Sequence, residues 1–201
     1  VVGERQPLPH KADRTLYFLE VDQMHFIGID PGATGAITVI SANDCVNIFK
    51  MPDTTEGIAH LIGNLNPEVS RVLCELQQAR PAYARKMNHE THQEEFTVLR
   101  GVNATWTFAQ HYGELRMALV MRGFEPEYIR PVDWMRALGI PKREKGMSQT
   151  AWKGRLHDKA KELFPALKII KASADSVLIA ETCRRLYAQE QRRPKFNFDD
   201  I

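Results

Sequence analysis

Three acids stand where the chain changes direction. Asp30 ends the apolar run Phe26-Ile27-Gly28-Ile29 and is followed by Pro31-Gly32, Glu75 ends Arg71-Val72-Leu73-Cys74, and Asp175 opens Ser176-Val177-Leu178-Ile179-Ala180. A carboxylate at a sheet centre would be a buried charge, and proline removes a backbone donor, so Asp30 and Pro31 belong at a strand end facing a cleft. Two strands that each end in an acid can lie side by side and bring both carboxylates to one sheet edge. Like charges that close repel unless one takes a proton or both bind a cation, and a divalent metal is the economical solution. Each acid also has a plainer reading. Asp30 can simply start a turn, and Asp175, in the first turn of a helix, can serve as a capping carboxylate. If the three converge, they form a cluster of three formal negative charges whose oxygens suit Mg²⁺ or Mn²⁺. Two such ions roughly 3.5–4 Å apart would activate water and stabilise the leaving oxygen of an in-line phosphodiester displacement, which is nuclease chemistry.

The elements that must position these acids follow from the punctuation. Strands are expected at residues 25–30, 35–41 and 45–50, separated by the Pro-Gly turn and by Ala42-Asn43-Asp44, an antiparallel meander. Gly32 and Gly35 are expected to give that turn positive φ and to admit a ligand or another chain close to the backbone. Ile58, Leu61, Ile62 and Leu65 recur at helical spacing behind Thr54 or Thr55 as cap, and Pro67 ends the region before the strand 71–75. Residues 77–103 read as a polar, irregular loop, in which His89 and His92 offer a conceivable metal pair. A helix at 105–122 carries Phe108, Tyr112, Leu115 and Leu119 on one stripe, read as core or dimer contacts, and Gly123 ends it. A strand at 126–131, a short helix at 131–138, a charged helix at 148–164 with a surface His157-Asp158 pair, and a last helix from 174 to about 191 complete the order. Residues 1–23 read as an N-terminal extension with Met24 just before the first strand, 24–191 as one domain, and 192–201 as a tail.

The chain is long enough for one domain with a sizeable core, at 201 residues, 43% hydrophobic and 26% charged, and no apolar run approaches the roughly 18 residues of a membrane span. Cys45, Cys74 and Cys183 are odd in number and far apart, which fits core thiols in a reducing compartment: the cytoplasm of a bacterial or phage-infected cell, or an organelle. The net charge of +2 says little, but its distribution says more. Between Pro131 and Lys171 lie Arg136, Lys142, Arg143, Lys145, Lys153, Arg155, Lys159, Lys161, Lys168 and Lys171 against four acids, a local excess that can track a polyanion or line a solvated helix face.

The order and spacing of these segments resemble the RuvC-like Holliday-junction resolvases of the RNase H-like superfamily. The likeness spans His25 to Tyr187. It rests on Gly28-Ile29-Asp30-Pro31-Gly32 with Gly35-Ala36, on Glu75-Leu76-Gln77 with Ala79 and Pro81, on Gln110 to Gly113, and on Ala174 to Ala180. Pro131-Val132-Asp133-Trp134 and Glu162-Leu163-Phe164-Pro165 look like the small phage and organellar branch. The resemblance implies an α/β fold, a mixed five-stranded sheet with helices on both faces. It further implies that Asp30, Glu75 and Asp175 are the catalytic metal ligands, and that a homodimer places two sites on opposed strands of a four-way DNA junction. Arg80, Arg85, Lys86, Lys142, Arg143, Lys145, Lys153 and Lys171 are the expected nucleic-acid contacts. One departure stands out. Members usually carry a fourth acid three or four residues before the last aspartate, where this chain has Ala172 and Lys171. Glu181 is no substitute, because six residues is about 600° of helix and turns it away from Asp175.

Other readings compete. Sugar kinases and actin-like ATPases share the sheet and a similar Asp-x-Gly turn, but the chain is short for that two-domain architecture and has no second Asp-Gly-rich phosphate motif. A junction-binding protein with weakened catalysis is motivated by Ala172, and an RNA-processing relative could use the same acids.

Overall fold

The computed structural model describes residues 23–77, 82–87 and 94–192. Strands β1 (His25–Asp30), β2 (Ala36–Ser41) and β3 (Val46–Lys50) form the expected meander, followed by helix α1 (Thr55–Gly63) and strand β4 (Ser70–Glu75). Next come β5 (Ala82–Met87), β6 (Glu94–Arg100), α2 (Val102–Arg122), β7 (Glu127–Ile129), α3 (Pro131–Ala137), α4 (Gln149–Leu163) and α5 (Ala174–Arg192). The main sheet has the order β3-β2-β1-β4-β7, antiparallel from β3 to β1 and parallel from β1 through β4 to β7.

Alternation along β1 and β4 decides which face receives what. Ile27, Ile29, Val72 and Cys74 point to one side, where they bury against Ile58, Leu61 and Ile62 of α1 and Tyr112, Leu115 and Leu119 of α2. Phe26 and Leu73 point to the other, against Trp134 of α3, Trp152, Leu156 and Ala160 of α4, and Val177 and Leu178 of α5. Each large aliphatic side chain so enclosed contributes about 1.5–3 kcal/mol relative to exposure. Successive side chains alternate, so Asp30 shares parity with Phe26, and Glu75 with Leu73. Both acids therefore belong to the α3-α4-α5 side of the sheet.

Local signals act as read. Thr54 caps α1 by accepting from the Gly57 amide at 3.1 Å, and Gly123 closes α2 in the left-handed region at φ 96°. Four readings need correction. Residues 77–103 are not wholly irregular: β5 and β6 pair antiparallel with a bulge at Ala82/Tyr83. Gly32 and Gly35 lie outside the positive-φ set. Gly35 is required instead because a Cβ there would meet the Asp30 carbonyl oxygen at 2.1 Å. Cys45 is exposed beside the β2–β3 turn, whereas Cys74 and Cys183 are buried. His157 is not a surface residue, since its side chain is 14% exposed and its Nε2 lies 2.9 Å from the Ile169 carbonyl oxygen.

Candidate active site

The parallel register of β1 and β4 pairs Gly28 with Leu73 and Ile29 with Cys74, so Asp30 and Glu75 come abreast at the adjoining strand ends. Helix α5 brings the third acid. It lies directly on β1 at Gly28, where a Cβ would meet the Ala180 amide nitrogen at 2.1 Å and the Ser176 carbonyl oxygen at 2.4 Å. Only glycine allows backbone to approach backbone that closely. A buried hydroxyl pair, Thr38 Oγ1 and Ser176 Oγ at 2.8 Å, ties the start of α5 to β2 as well. Every residue from Ala174 to Cys183 is buried. Asp175 is thereby held at the sheet edge beside Asp30, close enough for each charge to act on the other.

The electrostatics follow from this crowding. Burial, then repulsion from Asp175, pushes the Asp30 carboxyl up to about 6, against the opposing pull of Lys153 and a hydrogen bond from the Gly32 amide. Burial raises Glu75 to about 7; the Trp134 hydrogen bond and Lys153 pull it down, and Asp30 and Asp175 add to the rise. Both Glu75 oxygens are engaged, Oε2 by the Trp134 indole N–H at 2.8 Å and Oε1 by the Gln77 side-chain amide. Asp175 is 6% exposed and differs: its Oδ2 accepts from the Lys153 ammonium, and its Oδ1 has no hydrogen-bond partner among the described residues. That oxygen is therefore not engaged in capping α5.

Lys153 is where the structure departs furthest from the expected polyanion surface. It leaves α4 beside the buried Trp152 and enters the acidic edge. Burial works to lower its pKa, but Asp175 above all, with Asp30 and Glu75, carries it above the ordinary lysine value. The other predicted contacts divide. Lys142, Arg143 and Lys145 are exposed in the segment between α3 and α4, with Arg143 donating to the Met147 carbonyl at 2.9 Å and to Gln149 at 2.6 Å. Lys171 is exposed just before α5. Arg85 and Lys86 fall on β5 where the backbone alone is described, and Arg80, His89 and His92 lie outside the described residues. Ala172 lines a cleft of about 530 Å³ between the Pro-Gly turn and the segment leading into α5, along with Thr34, Lys50, Lys168, Ile170 and Ser173.

Sequence reasoning missed two participants. Trp134 reads as core, yet a buried indole N–H needs an acceptor, and that need is the signal that could have paired it with an acid. Lys153 reads as one cation among ten, and nothing in local charge density separates it from the rest.

The donor chemistry suits a divalent ion, with three carboxylates at one edge and one buried oxygen unpartnered. Among the described residues, however, no three acidic, histidine or cysteine side chains already enclose a metal-sized space. Lys153 occupies part of the edge.

Comparison with solved structures places the architecture. RuvC from Thermus thermophilus matches with a TM-score of 0.50 and 14% identity over 84% of this chain and 97% of that one. T. thermophilus RuvC in complex with a Holliday junction substrate matches at 0.48 and 15% identity, over 83% and 96%. The fold is RNase H-like. No family model and no curated protein matches the sequence, so the likeness is one of architecture. In this RNase H-like frame, Asp30 and Glu75 stand at neighbouring parallel strand ends and Asp175 in the first turn of the helix across them. No helix of the described residues is long and apolar enough to cross a membrane.

Proposed function

We propose that this protein is a divalent-metal-dependent, structure-selective endonuclease that resolves four-way DNA junctions by paired nicks. The observation that carries the reading is the placement of Asp30 and Glu75 at adjoining strand ends with Asp175 in the helix across them, one of whose oxygens has no partner among the described residues. Mg²⁺ or Mn²⁺, when bound, would activate water and offset charge on the leaving oxygen. The chain's own residues do the rest. Asp175 supplies an oxygen without a partner among the described residues, Asp30 supplies a second carboxylate beside it, and Glu75 is oriented by Trp134 and Gln77 so that its carboxylate cannot rotate freely. The exposed cations Lys142, Lys145 and Lys171 contribute phosphate affinity.

A homodimer is part of the proposal. Helix α2 buries Tyr112, Leu115 and Leu119 but leaves Trp106, Met117, Val120 and Met121 more than half exposed, an apolar surface suited to a second copy. One feature favours a second reading, a junction-binding protein with weakened cleavage. Ala172 offers no oxygen where a fourth acid would face the cleft.

The test is cleavage of a synthetic four-way junction beside a linear duplex of equal length, with Mg²⁺, Mn²⁺ or EDTA, by the native chain and by Ala172→Asp. Metal-dependent paired nicks in the junction alone are expected from the native chain. Asp30→Asn should abolish them and preserve binding, since one repulsive charge near the DNA backbone is removed. Binding should weaken with salt at a log-log slope of about −0.9 per neutralised phosphate. Cleavage only by Ala172→Asp would favour the second reading. Full activity in Asp30→Asn would overturn the assignment.

A further inference from the structure

We propose that Lys153 is a resident cation of the acidic edge, its ammonium occupying the place of a metal charge in the metal-free protein, so that a divalent ion must displace it to reach Asp175. This rests on the metal-binding reading above. Lys153 and Asp175 are 22 residues apart in sequence and on different helices, yet the ammonium pairs directly with Asp175 Oδ2. The same ammonium is close enough to act on Asp30 and Glu75, so one positive charge serves all three carboxylates.

The other cations of the basic stretch that form ion pairs find local partners. Arg155 meets Glu144 at 2.8 Å, Lys159 meets Glu162 at 2.6 Å, and Arg136 meets Asp133 at 3.4 Å. Lys153 alone among the described cations of that stretch is paired with a proposed metal ligand. Its side chain is 38% exposed while that of Asp175 is 9% exposed, so the lysine has a way out to solvent and the aspartate does not. A lysine is a compact point charge on a flexible stem, able to leave such a pair without moving the helix that carries it.

Two cations cannot share one carboxylate edge without repelling each other, so metal and ammonium compete for it. Removing the lysine charge should therefore tighten metal binding and unsettle the metal-free protein. Placing Lys153 at the edge keeps three acids together during folding and sets a threshold concentration for the ion.

The test uses Mn²⁺ alone with the full chain and no DNA. Calorimetric titration of the native protein, Lys153→Met, Lys153→Arg and Asp175→Asn is combined with thermal midpoints in EDTA and in Mn²⁺. Lys153→Met should bind Mn²⁺ about tenfold more tightly, melt lower in EDTA and gain a larger rise from Mn²⁺, while Lys153→Arg stays near the native affinity. Equal affinity in Lys153→Met and the native chain, with binding lost in Asp175→Asn, would overturn the lysine inference and leave the metal site standing. Equal tightening by Met and Arg would overturn it too, by assigning the effect to shape and not charge. Absence of Mn²⁺ binding in every form would overturn both readings. If Lys153→Met does not fold without metal, acetylation of the native chain with an activated ester decides. Mass spectrometry should show Lys153 reacting about tenfold faster with Mn²⁺ present, against Lys145 and Lys168 as internal references. An unchanged Lys153 rate would overturn the proposal.

Discussion

Helix α5 carries two buried acids six residues apart, and they are held in opposite ways. Glu181, 4% exposed, is satisfied within its own helix: Arg185 Nε donates to Oε1 at 2.7 Å and Arg184 to Oε2 at 2.9 Å. Arg184 also reaches Asp44 at the β2–β3 turn, so this network pins the helix to the sheet. Asp175, also buried, has one ammonium from another helix on one oxygen and, among the described residues, no partner on the other. The helical neighbours i+3 and i+4 can close around an acid without tertiary help. An acid that lacks such neighbours and is still buried carries a cost that the fold alone does not repay, which is what distinguishes a site from a strut.

The sharpest way to break the contrast is on activity. Asp175→Asn should lower junction cleavage about 10³-fold or more, on the scale of losing one member of a concerted group, with little change in the urea midpoint. Glu181→Gln should leave cleavage intact; if the two variants lose cleavage equally, the distinction fails. Gly28→Ala is the next largest perturbation. Its methyl must push the α5 backbone off β1, at a cost of about 3 kcal/mol by urea unfolding. The Glu181 pairs to Arg184 and Arg185 travel with the helix, whereas Asp175 moves relative to Asp30 and Glu75, so cleavage should fall further than stability predicts.

The pH dependence should report the same crowding from the adjoining strand ends. Asp30 and Glu75 have folded pKa values raised to about 6 and about 7, above their ordinary carboxylate values of 3.8 and 4.5. The folded state then holds more protons than the unfolded one between those limits, so stability falls as pH rises from about 4 to about 7, by about 6 kcal/mol at most. Thermal midpoints in EDTA should therefore drop across that window, and Mg²⁺ should recover the loss at the upper end. A midpoint that rises over the same window would contradict the crowding of the acids. The smallest effect is expected from Glu181→Gln on stability, about 1–3 kcal/mol by urea unfolding, because it leaves two guanidinium groups around a neutral amide.

Much of this was legible in the sequence, for identifiable reasons. Pro31 after Asp30 fixes a strand end, the period of Leu115 and Leu119 fixes the buried stripe of α2, and the meander is punctuated where it turns. The three acids fall at element ends for the same reason, and the topology brings those ends together. The β5–β6 hairpin was not legible because its apolar residues are interrupted by Arg85, Lys86, Glu94, Glu95 and Arg100, and no Asn-Gly or Asp-Gly pair joins the two runs. The role of Gly28 was hidden because a glycine inside an apolar run does not reveal which distant backbone will press on it, and here it is Ala180, 152 residues further along. Lys153 was grouped by sign when only its position relative to α5 sets it apart.

The seating of α5 on Gly28 also sets a timetable. The sheet strands and α1 to α4 precede α5 in the chain, so they leave the ribosome before the helix that completes the edge. Until the helix docks, two acids wait at the strand ends without their third member, and the groove over Gly28 is open apolar surface. The charge cluster is therefore complete only once α5 is seated: two of its carboxylates come with the sheet, and the third comes with the docking of a helix.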